Sequence, residues 1–169
     1  MFEDKEGEPM FRFFTVPRIV SIAILILAVF GLGYGFGVRK APEPDPKVLA
    51  FKLPKDLKWS GSESSPSQMA VLYGDPSKEG LYIVLNKWHP HNMSRPHFHP
   101  NDRFFVVISG TWWMGTGEKF DPESTVPAPA GSYVIHYGGK VHYDGAKTEE
   151  TIIQVWGMGP ATSTPAEKR

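Results

Sequence analysis

The chain has 169 residues, 18 Lys+Arg balanced by 18 Asp+Glu, and no cysteine. That length suits one domain with material left over at its ends. The even charge leaves no basic footprint for nucleic acid, and the lack of cysteine excludes disulfides and thiolate metal sites. Sixteen prolines and seventeen glycines, spread along the chain, favour short strands and tight turns over long helices.

The N-terminal tail, residues 1–18, begins acidic with Glu3, Asp4, Glu6 and Glu8 and turns aromatic at Phe11, Phe13 and Phe14. From Ile19 to Val38 no residue is charged. At about 1.5 Å per helical residue this run spans roughly 30 Å, the thickness of a bilayer's hydrocarbon layer. Arg18 and Arg39-Lys40 bracket it, and Tyr34 and Phe36 sit where an interfacial aromatic belt would lie. The spacing predicts a single transmembrane anchor helix over 19–38. Gly35-Phe36-Gly37 is a passable small-x-small cleavage site, though weaker than an alanine one, so the run suits a cleaved signal peptide or a retained anchor, and a retained anchor is the expectation. Gly31/Gly35 and Gly33/Gly37 have the small-xxx-small spacing that lets membrane helices pack closely. Lysines and arginines on the two sides are nearly balanced and do not set the orientation. Residues 39–50 form a linker in which Ala41-Pro42-Glu43-Pro44-Asp45-Pro46 is a stiff spacer.

Residues 51–159 carry the globular part. Strand-like segments recur at Leu81–Leu85, Phe104–Ile108, Thr111–Met114, Tyr133–Ile135 and Thr151–Trp156, each bounded by Gly, Pro, Ser or Asp turn signals. No stretch past residue 40 has a long helical period, so the expected class is all-β, a sandwich or barrel of short strands. Residues 160–169 read as a C-terminal tail.

Two features inside this part carry chemistry. Pro96-His97-Phe98-His99-Pro100 leads directly into an apolar strand that Gly110 ends. Residues two apart on an extended chain share a face, so His97 and His99 point the same way. His142 follows a second glycine-bounded strand pattern that starts at Gly131. Two strands delivering three imidazoles to one point would form a small barrel with a metal at its mouth. Imidazole suits Fe, Mn, Zn, Ni and Cu alike, so the ligands do not name the ion.

His97-x-His99-x3-Arg103-x6-Gly110 resembles the first motif of the cupin superfamily, which has a glutamate where this chain has Arg103. Gly131-x5-Tyr137-x-Gly139-x2-His142 resembles the second, with Tyr137 at the usual proline and Ala146 at the usual asparagine. The resemblance covers roughly residues 65–158 and extends to small bacterial cupins that share the wording PHFHPNDRF, GTWWMGTG and VHYDGAK. It implies a single cupin barrel, a double-stranded β-helix of jelly-roll type. Because those relatives commonly begin with an export signal, it also implies a domain on the periplasmic side of the bacterial inner membrane. It further implies that His97, His99 and His142 hold a divalent transition metal, unless the pocket is a vestigial one that holds none. Cupin motifs do not fix the activity.

Arg103 offers no lone pair and cannot be a ligand. Three arrangements are open: three histidines with water, Arg103 swung away to pair with Asp102, Asp144 or another acid, or Arg103 reaching an anionic ligand. His136 should lie on the inner wall, as a fourth ligand, a proton carrier or a satisfied wall residue; it and Arg103 are the candidate catalytic residues. Asp144 shares parity with His142 and is expected to orient it from outside the ligand set. His89 and His91 read as loop-surface residues, and Tyr133, Tyr137, Tyr143, Trp112, Trp113 and Trp156 as core. Two functions follow as expectations. One is a membrane-anchored metallo-cupin that binds or transforms a small molecule. The other is a non-catalytic subunit of a respiratory or photosynthetic membrane complex. The expected partners are membrane lipid and, through the anchor helix, an integral complex or a second copy of the chain.

Overall fold

In the computed structural model residues 42–168 are described. The tail 1–18, the anchor helix expected at 19–38 and the first linker residues lie outside them. Among the described residues no helix is long and apolar enough to cross a membrane. The chain divides into two units, Met1–Leu49 and Ala50–Arg169. In the described part of the first, a turn has the Val48 and Leu49 N–H groups donating to the Asp45 carbonyl at 3.0 and 2.9 Å.

The second unit is built of strands because apolar side chains alternate with exposed ones along it. In order they are β1 (Trp59–Ser60), β2 (Ser67–Tyr73), β3 (Gly80–Trp88), β4 (Asn92–Met93), β5 (His97–Phe98), β6 (Arg103–Ser109), β7 (Thr111–Thr116), β8 (Val126–Pro129), β9 (Tyr133–His136), β10 (His142–Ala146), β11 (Thr151–Gly159) and β12 (Thr164–Pro165). Short 3-10 turns at Pro54–Asp56 and Pro122–Ser124 are the only described helical elements. One sheet runs β1-β2-β3-β11-β6-β9 and the other β12-β5-β10-β7-β8, with β4 also on β10. Every pairing is antiparallel. All-β architecture is as expected from the turn spacing.

The two sheets face each other across a core of Tyr82, Val84, Phe105, Val107, Trp112, Ala128, Ile153 and Val155. Burying each aliphatic side chain contributes about 1.5–3 kcal/mol. β11 is the spine of the first sheet, paired over nine positions with β3 and over a shorter stretch with β6. Gly110 joins β6 to β7 with φ 72°, and an added Cβ there would also collide with the Glu150 carbonyl; glycine meets both demands. β8 carries Pro127 and Pro129 and lies at a sheet edge, where a missing N–H donor is tolerated.

Of the six aromatics expected in the core, Trp112 and Tyr143 are fully buried. Tyr133 and Tyr137 are 57 % and 61 % exposed, and Trp113 and Trp156 are half-buried. Strand alternation is the reason: Trp112 points into the barrel, so its neighbour Trp113 points out, beneath Lys147 at 4.3 Å. On the outside of the other sheet Trp156 stacks on Phe104 at 6.0 Å.

Candidate metal centre

Register decides which side chains meet. On the second sheet His142 of β10 is the cross-strand partner of His97 of β5, and partners in an antiparallel pair share a face. His99 follows His97 by two residues and points the same way. On the first sheet Arg103 of β6 is the partner of His136 of β9. Each sheet therefore presents one pair to the space between them.

The three expected ligands come together. His97 and His99 lie with Nε2 atoms 3.1 Å apart, ring centroids of His97 and His142 are 4.6 Å apart, and those of His99 and His142 are 5.2 Å apart. One ligand atom from each lies within 4.8 Å of the others. Their outer nitrogens are all occupied by carbonyls: His97 Nδ1 by Arg95 O at 2.7 Å, His99 Nδ1 by Thr162 O at 2.8 Å and His142 Nδ1 by Lys140 O at 3.0 Å. A carbonyl only accepts, so each Nδ1 carries the proton and each Nε2 presents a lone pair inward. Arg103 corroborates this for His99. Its Nη1 donates to His99 Nε2 at 3.0 Å, which requires a lone pair there. His142 Nε2 is buried and has no hydrogen-bond partner.

Burial shapes the electrostatics. It lowers His142 from its ordinary 6.5 to about 4. His99 falls to about 3, by burial first and then by the Arg103 charge. His136 falls to about 2, by burial and then by the neighbouring histidines. These imidazoles are neutral at physiological pH, the state in which they ligate metal.

Arg103 has not swung away. Besides His99 it donates from Nη2 to Ala161 O at 3.1 Å, and the Tyr82 side chain lines the same pocket wall beside it. Tyr82, Gly157 and Arg103 are successive partners across β3, β11 and β6. A Cβ on Gly157 would sit 3.2 Å from the Tyr82 oxygen, so the absent side chain leaves a gap there. Asp102 faces the other way and accepts from the Gly138 N–H at 2.7 Å. No ion pair joins Arg103 to a carboxylate among the described residues.

Asp144 differs from its expected role. The His142 outer nitrogen is taken by Lys140, and Asp144 Oδ2 instead lies 3.9 Å from the inner Nε2, too far for a hydrogen bond. Trp112 Nε1 donates to Oδ1 at 3.2 Å. The carboxyl is 7 % exposed, and burial raises its pKa to about 6. His136, Asp144 and His142 form a second group of converging ligand atoms. The His136 ring lies on the inner wall as expected, 3.9 Å from the His142 centroid and stacked on Trp112 at 5.2 Å, with a buried Nδ1 lacking a partner. His91 is exposed as expected, whereas the His89 side chain is only 17 % exposed.

His97, His99 and His136 open into a cavity of about 400 Å³ lined also by Asn86, Trp88, Ser94, Phe105 and Ile153, within the range of small-molecule sites. Asn86 and Trp88 escaped the sequence reading, although they continue the inward parity of Tyr82 and Val84 on β3. The residues after Gly159, expected as a tail, belong to the barrel. They run along this rim, pair through β12 with β5 and supply the Ala161 and Thr162 carbonyls; nothing local in their sequence signals that contact.

No protein-family model matches the sequence, and no curated protein is similar to it. Solved structures are similar in fold. The polyketide cyclase RemF from Streptomyces resistomycificus superposes with a TM-score of 0.59 at 13 % identity, over 72 % of this chain and 87 % of that one. An uncharacterized conserved protein with a double-stranded β-helix domain from Klebsiella pneumoniae gives a TM-score of 0.50 at 23 % identity, over 64 % and 90 %. The likeness shows the fold of the unit Ala50–Arg169: a double-stranded β-helix.

Proposed function

We propose that the barrel holds one divalent transition-metal ion on His97, His99 and His142 and binds a small organic molecule beside it. The observation that carries this reading is the trio of Nε2 lone pairs whose Nδ1 protons are all committed to carbonyls. Two lone pairs facing each other at 3.1 Å repel, and a cation between them removes the repulsion. Nitrogens bound to one ion at about 2.0–2.1 Å lie roughly 2.9–3.4 Å apart for octahedral to tetrahedral angles, which brackets that distance. The partnerless, buried His142 Nε2 would gain its partner in the same way. Iron, manganese, zinc, nickel and copper all suit this donor set.

An ion with an open position polarises a ligand oxygen or lowers the pKa of bound water. The chain's own contribution is the shape and charge around it. Trp88, Phe105 and Ile153 exclude water from the wall, His136 stays neutral, and Asp144 and Arg103 bring one negative and one positive charge. Elemental analysis of the purified full chain should find close to one transition-metal ion per chain. His97→Ala and His142→Ala should fold and lack it. A wild-type chain that neither carries nor takes up zinc, cobalt, iron or manganese would contradict the proposal.

A second reading is favoured by the uncharged run 19–38 and its Gly31/Gly35 and Gly33/Gly37 spacing. In it the same barrel sits on the periplasmic side of the inner membrane as a non-catalytic part of an integral complex, respiratory or photosynthetic. Detergent extraction should then co-purify that complex, and leucines at Gly31 and Gly35 should release the chain from it. A wild-type chain that extracts alone would end this second reading.

A further inference from the structure

We infer that the small molecule is a carboxylate, and that Arg103 couples its binding to that of the ion; this rests on the ion site proposed above. The reason lies in a shared lone pair. With its Nδ1 proton given to Thr162 O, His99 has one lone pair, on Nε2, and Arg103 Nη1 donates to it at 3.0 Å. An ion on the three Nε2 atoms takes that lone pair. The Arg103 N–H then loses its acceptor while its side chain remains partly buried in the cavity wall.

The guanidinium has nowhere better to go. Ala161 O holds Nη2 at 3.1 Å, the Tyr82 side chain lines the pocket wall on the β3 side next to the gap at Gly157, and β6 register fixes Arg103 opposite His136. Neither nearby acid forms an ion pair with it among the described residues. Asp102 caps the Gly138 N–H, and Asp144 accepts from Trp112. An ion, Arg103 and Asp144 together leave the cavity with a net positive charge, and a buried charge without a counter-ion is costly.

A carboxylate answers both demands. One oxygen can meet the freed guanidinium N–H, whose planar fork matches it, while the other faces the ion. The body of the acid would lie against Trp88, Phe105 and Ile153 within the cavity of about 400 Å³. Trp88 Nε1, buried without a partner, is a donor available to a second polar group on it. Linkage is reciprocal: a carboxylate that occupies Arg103 strengthens ion binding by the factor by which the ion strengthens its own.

The test titrates cobalt(II) into the full chain and follows its visible absorption, with acetate, with the neutral isostere acetamide, and with neither. In the wild type, acetate should tighten cobalt binding about tenfold and acetamide should not. Arg103→Gln should bind cobalt more tightly than wild type without acetate, because the competitor for His99 is gone, and should lose the acetate effect. Arg103→Met serves as a second variant, and the wild-type comparison of acetate with acetamide stands without either. Cobalt binding that is indifferent to acetate in the wild type, or equally acetate-dependent in the variants, overturns the inference and leaves the ion site standing. Failure of the wild type to bind cobalt under every condition overturns both.

Discussion

The two sheets each present a cross-strand pair to the space between them, and the pairs are built differently. His97 and His142, with His99 beside them, have their outer nitrogens tied to carbonyls. His136, its ring only 3.9 Å from that of His142, has a Nδ1 with no partner, and its strand neighbour across the ladder is a cation. Proximity is thus common to both imidazoles, but only one has its tautomer and ring angle set by a second hydrogen bond. A neighbouring ring makes a wall; a tethered ring makes a ligand.

The largest effect should separate these two histidines. His142→Ala should weaken zinc binding by more than about a hundredfold, beyond the 10–100-fold that loss of an outer partner costs. His136→Ala should change it by less than about tenfold, below even the range of such outer effects. A calorimetric titration in which His136→Ala abolishes binding would instead favour the set formed with His142 and Asp144.

Next comes Trp112, where the two pairs meet: it stacks on His136 and donates to Asp144. Trp112→Ala should cost about 3–5 kcal/mol in urea unfolding. Trp112→Phe should restore much of the packing while leaving Asp144 Oδ1 without its donor. A loss below about 1 kcal/mol for the alanine variant would mean that the core does not close beneath the site.

Much of this comparison was legible in the sequence. Parity alone placed His97 and His99 on one face, and the glycine-bounded segments gave five strands at the right places, each extending one to four residues further. What escaped was non-local. The pairing of β5 with β10 and of β6 with β9 depends on register across the barrel, so the sequence could not say whether Arg103 turns in or out. The tethers of His99 and Arg103 come from carbonyls about sixty residues on, at Thr162 and Ala161. Backbone carbonyls leave no mark on residue identity. Strands such as Val126–Pro129, with two prolines, or Thr164–Pro165 are too short or too proline-rich to show a period.

Acidity should sharpen the contrast between buried neutral imidazoles and the buried acid. His99, His136 and His142 are held below 6.5, first of all by burial. Their unfolded forms bind protons more readily, so stability present above 6.5 is lost as pH falls toward their folded values. Asp144 is raised from 3.8 to about 6; its contribution is full below 3.8 and is lost as pH rises through about 6, which opposes the histidines over that window. Three groups outweigh one. The urea midpoint of chelator-treated protein should therefore fall between about pH 7 and pH 5, and a midpoint that rises would show that the imidazoles are not buried as neutral groups.

The smallest effect should come from the rim. Arg95 and Glu167 form an exposed ion pair that fastens the strand after Thr162. Arg95→Gln should cost about 0–1 kcal/mol in urea unfolding and shift zinc affinity less than His136→Ala does. A larger loss of affinity would make this segment part of the site's frame rather than its border.

Long-range ¹⁵N–¹H spectra of the histidine side chains, before and after zinc is added to the chelator-treated full chain, test the central claim most directly. The account predicts the Nδ1–H tautomer for His97, His99 and His142 beforehand. On zinc addition the Nε2 resonances of those three should move together, and that of His136 should show no sign of coordination. An Nε2–H tautomer at any of the three, or coordination by His136 in place of His97 or His99, would contradict it.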